Sequence, residues 1–248
     1  MNKNIKQNNL VKLASLAMAL TLFSFTQVAS EKPINLVFVD HLTAGLIEQD
    51  VFVEKETGSN EVYRVLPNEK EKYLDAPLYK SIKKLKHDPF DPSTAGPFEK
   101  GEALGMTLRE WLSAKGTGSY TCEGGWGTFK ASFQNLVPNA TYTIWHAFMA
   151  KAATKPFAGT IDLPLGDPNG ETSVFTTDEK GNAVVEKRFE RCLQLGEVQL
   201  MSLVALAYHS DGKTYKADAG PFGLGTHVQI FAVLPDAEKA VKEISSDN

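Results

Sequence analysis

From Thr117 onward the chain alternates between short β-branched or aromatic runs and turn residues, and that alternation leaves few folds open. Gly118 to Cys122 and Gly127 to Leu136 flank the turn Glu123-Gly124-Gly125-Trp126. Pro138-Asn139 then leads into the run Thr141 to Met149. Thr172 to Thr176 and Ala183 to Phe189 flank Asp178-Glu179-Lys180-Gly181-Asn182, a hairpin-like signal. Val198 to Tyr208 is apolar on both faces, as a central strand must be, and Thr226 to Leu234 is the last run. Short strands punctuated this regularly predict a mainly β fold, an antiparallel β-sandwich or jelly roll with one or two short helices.

The N-terminal half is more varied. Ile34 to Asp40, Gln49 to Glu54 and Glu61 to Leu66 read as strands, with Gly58-Ser59-Asn60 as a turn. Residues 67–101 read as a helical or loop insertion. Leu74, Leu78, Ile82 and Leu85 stand at helical spacing, as an amphipathic helix or an exposed linker, and a Pro-rich loop follows over 87–101. Thr107-Leu108-Arg109-Glu110 is a capping box, with Met106 and Trp111 placed to form the hydrophobic staple and Gly116 to end the helix. The expected organisation is one β domain over 31–235 and a charged tail over 236–248.

Residues 1–30 read as a secretory signal peptide: Lys3, Lys6 and Lys12, an apolar run from Leu13 to Phe25, then Val28-Ala29-Ser30 at the cleavage site. The run is shorter than the ~20 residues of a spanning helix, so no stable membrane insertion is expected after its removal. Loss of three lysines and no acid takes the net charge from −4 to −7. Such a surface repels nucleic acid and anionic membranes. Cys122 and Cys192 are the only cysteines, and an exported pair is expected to be oxidised. Closing about 70 residues stabilises a fold by roughly 4 kcal/mol on a chain-entropy account.

The chemistry-bearing residues are sparse. Five histidines occur, none at the i, i+4 spacing of a helical metal site. Alternation along Thr141 to Met149 places His146 on the face with Tyr142, Ile144 and Phe148, either as a hydrogen-bonded core histidine or as a ligand or base at a pocket. In the last run Val228, Ile230, Ala232 and Leu234 are expected on the core face, with His227, Gln229 and Phe231 opposite. His209 and His227 bracket a long loop carrying Asp211, Tyr215 and Asp218, which would form a rim site for a metal ion or polar ligand, or an ordinary solvated connection. Trp126, Trp145, Tyr208 and Phe222 are candidates for an aromatic binding surface, or core. No Gly-x-Ser-x-Gly elbow, phosphate loop or EF-hand spacing is present.

The stretches GPFEKGEALGMTLREWLSAKGTGSYTC with GTFKASFQNLVPNATYTIWH, and HSDGKTYKADAGPFGLGTHVQIFAVLP, resemble exported bacterial proteins of uncharacterised function. The phrase Leu136 to Trp145 also resembles the L-x-P-x-x-x-Y-x-x-W turn and strand of many extracellular β-sandwich modules. The resemblance implies a periplasmic or secreted bacterial sandwich and brings no catalytic residues. The leading expectation is a non-enzymatic binding or interaction module of the cell envelope, using the loops near 87–101 and 209–227 on an envelope ligand or protein. The alternatives are a metal-binding protein or metalloenzyme using His146, His209 and His227, and an enzyme acting on envelope carbohydrate through carboxylates.

Overall fold

A computed structural model of the chain describes residues 32–47, 50–86, 88–150, 159–197 and 200–236. The expected signal peptide, His87 and the tail after Asp236 lie outside the described residues. Among the described residues twelve strands run in chain order: β1 Ile34–Phe38, β2 Glu61–Val62, β3 Pro77–Ser81, β4 Phe98–Thr107, β5 Lys115–Glu123, β6 Trp126–Gln134, β7 Thr141–Ala150, β8 Thr160–Pro164, β9 Val174–Thr176, β10 Ala183–Phe189, β11 Leu200–His209 and β12 Thr226–Val233. Two short helices, α1 (Lys70–Tyr73) and α2 (Leu108–Leu112), join them.

The strands form three antiparallel sheets. One is ordered β1-β5-β6-β10; a second is ordered β12-β11-β7-β8, with β9 also on β7; a third is β2-β4-β3. The first two make the expected sandwich, and between them lies a core that includes Leu36, Phe38, Phe129, Phe133, Tyr142 and Ile144. They are stitched along one side, where Val39 and Phe231 exchange both backbone hydrogen bonds. The β5–β6 hairpin closes through Gly124 and Gly125, both at positive φ, which a two-residue turn matching strand twist requires. Cys122 and Cys192 sit at disulfide distance within the main core, their Cα atoms 5.5 Å apart. No helix of the described residues is long and apolar enough to cross a membrane.

The insertion differs from its expectation. The only α-helix among its described residues is Lys70–Tyr73, with single 3-10 turns at Pro67–Glu69 and Pro92–Thr94, and Pro77–Ser81 is strand. Pro77 has no amide to donate, and it biases Ala76 away from helical angles, so the leucine spacing cannot propagate as a helix. Leu78 points into a second core with Val51, Val53, Val65, Leu108 and Trp111. The expected 87–101 loop likewise becomes strand at Phe98. The segment thus supplies β3 and the start of β4 to a folded cap whose third strand is β2.

Helix α2 keeps the expected capping box: the Glu110 amide donates to Thr107 Oγ1 and the Thr107 amide to Glu110 Oε2. It ends at Leu112, before Gly116, which belongs to β5. A Cβ on Gly116 would lie 2.4 Å from the Phe133 ring, so close packing across the hairpin is what requires glycine there. The 178–182 turn also forms, with Asp178 Oδ1 accepting from the Lys180 and Asn182 amides. Its flanking strands, however, join different sheets, β9 on β7 and β10 on β6.

Replacing Cys122 and Cys192 together by Ala is expected to lower unfolding free energy by roughly 4 kcal/mol. Urea unfolding of the oxidised protein and the variant measures it, and equal midpoints would mean that the pair adds no constraint.

Candidate functional site

The two loop-flanking histidines do meet at one end of the five-stranded sheet. Tyr208 lies directly opposite His227, and His209 opposite Thr226. Alternation then sends the two imidazoles to opposite faces. His227 points toward the cap, where Nδ1–H donates to the Asp50 carbonyl. A carbonyl only accepts, so Nε2 is the unprotonated nitrogen and takes the Ser210 hydroxyl proton at 2.8 Å. His209 lies on the outer face, with Nε2 bonded at 2.7 Å to the Thr143 hydroxyl, which also accepts from Trp145 Nε1.

The last-strand parity differs from the expected one. The β11–β12 register shifts between Leu206 and Ala207, leaving Gln229 as an extra residue. This β-bulge turns His227 and Gln229 to the inner side and puts Val228 outside with Phe231. Gln229 Nε2 donates to the Trp111 carbonyl and its Oε1 accepts from the Tyr142 hydroxyl. Tyr142 in turn accepts from the Val137 amide, a link inside the Leu136–Trp145 phrase. Burial pushes the Tyr142 hydroxyl pKa well upward, so it remains a donor.

His146 faces inward as alternation predicts, but both its nitrogens are engaged. Arg191 donates to Nδ1 at 3.0 Å, so the proton sits on Nε2 and goes to Ser202 Oγ at 2.9 Å. Ser202 passes its own proton to the Gln194 carbonyl. Burial, aided by the Arg191 charge, pushes the His146 pKa down to about 3. Burial takes His209 down to about 4 and lowers His227 too.

The expected three-histidine site is therefore not assembled. His146 pairs with Val204, five residues before His209 on β11, roughly 17 Å along the strand. Only Nδ1 of His209 lacks a hydrogen-bond partner among these three rings. No group of three or more His, Cys, Asp or Glu able to hold a metal converges among the described residues. The loop carboxylates are occupied locally. Asp211 accepts from the Tyr215 hydroxyl and the Lys213 amide, and Asp218 from the Gly220 amide. Burial and the Asp211 hydrogen bond push Tyr215 up to about 12.

The four aromatic candidates do not form one exposed surface, although Phe222 packs against the cluster of Trp145, Ala207 and Ala219. Trp145 is buried, Tyr208 packs toward Trp111 in the cap, and exposed Trp126 carries the Arg188 guanidinium 4.9 Å from its ring. Phe222 lines a cavity.

That cavity is a cleft of about 590 Å³ on the outer side of the five-stranded sheet. One wall is the start of β8, with Thr160 and Asp162. The other is built from residues 84–86 and 217–222, which are held together by the Leu85 amide donating to the Phe222 carbonyl. Beyond it lies an apolar recess of about 50 Å³ lined by Ala147, Met149, Leu203, Ala205, Phe222 and Phe231, with Thr160, Asp162 and Phe222 common to both spaces. The recess exists because Ala147 and Ala205, on neighbouring strands, leave the sheet surface unfilled. The 209–227 loop thus contributes a cleft wall through its second half. The 87–101 stretch is instead tied to the cap, where the Arg64 amide bonds the Ala95 carbonyl and its guanidinium the Thr94 carbonyl.

Sandwich and cleft define a mainly β protein with a three-stranded cap and a small-molecule-sized opening on one sheet. No family model matches the chain, and no curated protein matches it significantly.

A histidine held neutral by burial takes up its proton near pH 6.5 when unfolded, and only at about 3 when it is His146 in the folded chain. The unfolded state binds more protons in between, so stability is full above pH 6.5 and falls as pH drops. From about pH 7.5 to about pH 5, His146 alone is expected to cost about 2 kcal/mol. Urea unfolding at the two pH values measures this, and His146→Leu is expected to flatten the dependence. A slope unchanged in that variant would contradict neutral burial.

Proposed function

We propose that the chain is an exported binding module of the cell envelope, with the ligand held in the cleft between β8 and the 84–86/217–222 wall. The cleft itself carries this reading. Its volume, about 590 Å³, lies within the 300–1,000 Å³ typical of small-molecule sites, and it joins charged side chains at the mouth to an apolar recess. The titratable groups favour binding over catalysis. Both nitrogens of His146 and of His227 are committed to structural hydrogen bonds, and Asp211 and Tyr215 are committed to each other. Support for export comes from the order of charge, apolar run and small residues over 1–30, and from the cysteine pair at disulfide distance.

Ala217 is exposed and lines the cleft, so Ala217→Trp fills the opening without disturbing the core. Native mass spectrometry of unreduced protein from the exported fraction is expected to find a bound small molecule on the unaltered chain and none on the variant. Equal occupancy of both would remove the cleft as the binding site.

A further inference from the structure

We infer that His209 is an acid-released latch: its neutral ring holds residues 211–220, part of one wall of the cleft, in place, and its protonation frees them. The inference concerns movement of the wall and stands whether or not the cleft takes a ligand.

A line of contacts runs from the imidazole to the cleft. His209 ends β11 and is buried. On the sheet side its Nε2 meets the Thr143 hydroxyl, which also accepts from Trp145 Nε1. On the loop side its ring lies 5.9 Å from that of Tyr215. The Tyr215 hydroxyl donates to Asp211, and its ring meets Gly220 so closely that a Cβ there would lie 2.4 Å away. The preceding residue, Ala219, packs with Trp145 and Ala207, and its carbonyl accepts from the Thr226 hydroxyl. Residues 217–220 are those the loop presents to the cleft beside Phe222.

This arrangement fits only the neutral ring. An imidazolium donates from both nitrogens. Nδ1 of His209 is buried and has no hydrogen-bond partner among the described residues, so a proton on each nitrogen would leave one charged donor without an acceptor. Burial opposes the cation, the nearby Asp211 charge favours it and His227 opposes it, with burial outweighing Asp211. Although burial raises the Asp211 pKa, hydrogen bonds from the Tyr215 hydroxyl and the Lys213 amide bring it below its ordinary value, and Tyr215 is held near 12, so neither changes charge between pH 7.5 and 5. His227 faces the cap, bonded to the Asp50 carbonyl and flanked by the charges of Asp50, Lys80 and Asp211, and lies outside the latch.

The closed ring titrates near 4, and the hydrated ring of an open loop near 6.5. The open form therefore binds more protons in between: closure is complete above pH 6.5 and weakens as pH falls. From pH 7.5 to pH 5 the open population is expected to rise about thirtyfold.

Hydrogen exchange of the full chain, corrected for the intrinsic rate at each pH, tests this. Amides of residues 211–220 are expected to exchange about thirtyfold faster at pH 5 than at pH 7.5, with a slope near tenfold per pH unit below about pH 6, while those of β6 keep their protection. His209→Gln, which cannot take up a proton, is expected to abolish the slope. A flat profile for 211–220 in the unaltered chain would overturn the latch. So would a parallel acceleration in β6, which would mean global unfolding, or a slope that survives in a folded His209→Gln. Should that variant lose protection in β6 as well, the slope of the unaltered chain decides alone.

Discussion

A single extra residue in the last strand holds the two halves of this molecule together. Without the bulge at Gln229, β12 would alternate uniformly, and His227 and Gln229 would face away from the cap. With it, two polar side chains reach across to the backbone carbonyls of Asp50 and Trp111, while Tyr142 joins from the neighbouring sheet region. These bonds are buried, and each removes a polar group that would otherwise cost about 1–3 kcal/mol to leave unsatisfied. Trp111, fully buried, then packs its ring 6.2 Å from that of Tyr208. The cap's apolar core and the sandwich core meet at this stitch.

A second polar cluster serves the opposite end of the same sheet. Arg191, His146, Ser202 and Gln194 form a chain of donors and acceptors in which the position of each proton follows from the partner at either end. Arg191 also donates to the Pro164 carbonyl at the end of β8. It immediately precedes Cys192, so the cysteine pair and the guanidinium position one segment from two sides. Histidine in this molecule is chiefly a core residue that can both donate and accept, and its burial explains the lowered basicity better than any catalytic task does.

Much of the fold was legible in the sequence, because local rules acted without competition. The β5–β6 turn needs two glycines at positive φ, the capping box needs Thr107 and Glu110, and the alternation along β7 needs only that one face be buried; all three hold. The errors fall where a long-range partner decided the outcome. The leucine spacing over 74–85 suited a helix, yet β4 was available to pair with 77–81 and Pro77 blocked helical propagation. The 178–182 turn obeyed its local chemistry, but its flanking strands found partners in different sheets. The bulge at Gln229 has no signature in a run of apolar residues, and so the face of His227 was misread. The cleft was hidden for a similar reason: its walls come from three distant segments, and alanines in a central strand look like any other core residues.

Those alanines separate two properties that are usually tied together. The ladder joining β7 to β11 is made by backbone groups, which hydrogen bond alike whatever side chain they carry. The contour of the outer surface depends on the side chains alone. Exchanging Ala147 or Ala205 for a residue one or two carbons larger would alter the hollow beside Phe222 while leaving the sheet register unchanged. The same framework can therefore present a series of differently shaped hollows, graded in steps of a single methyl group, beneath one constant charged rim.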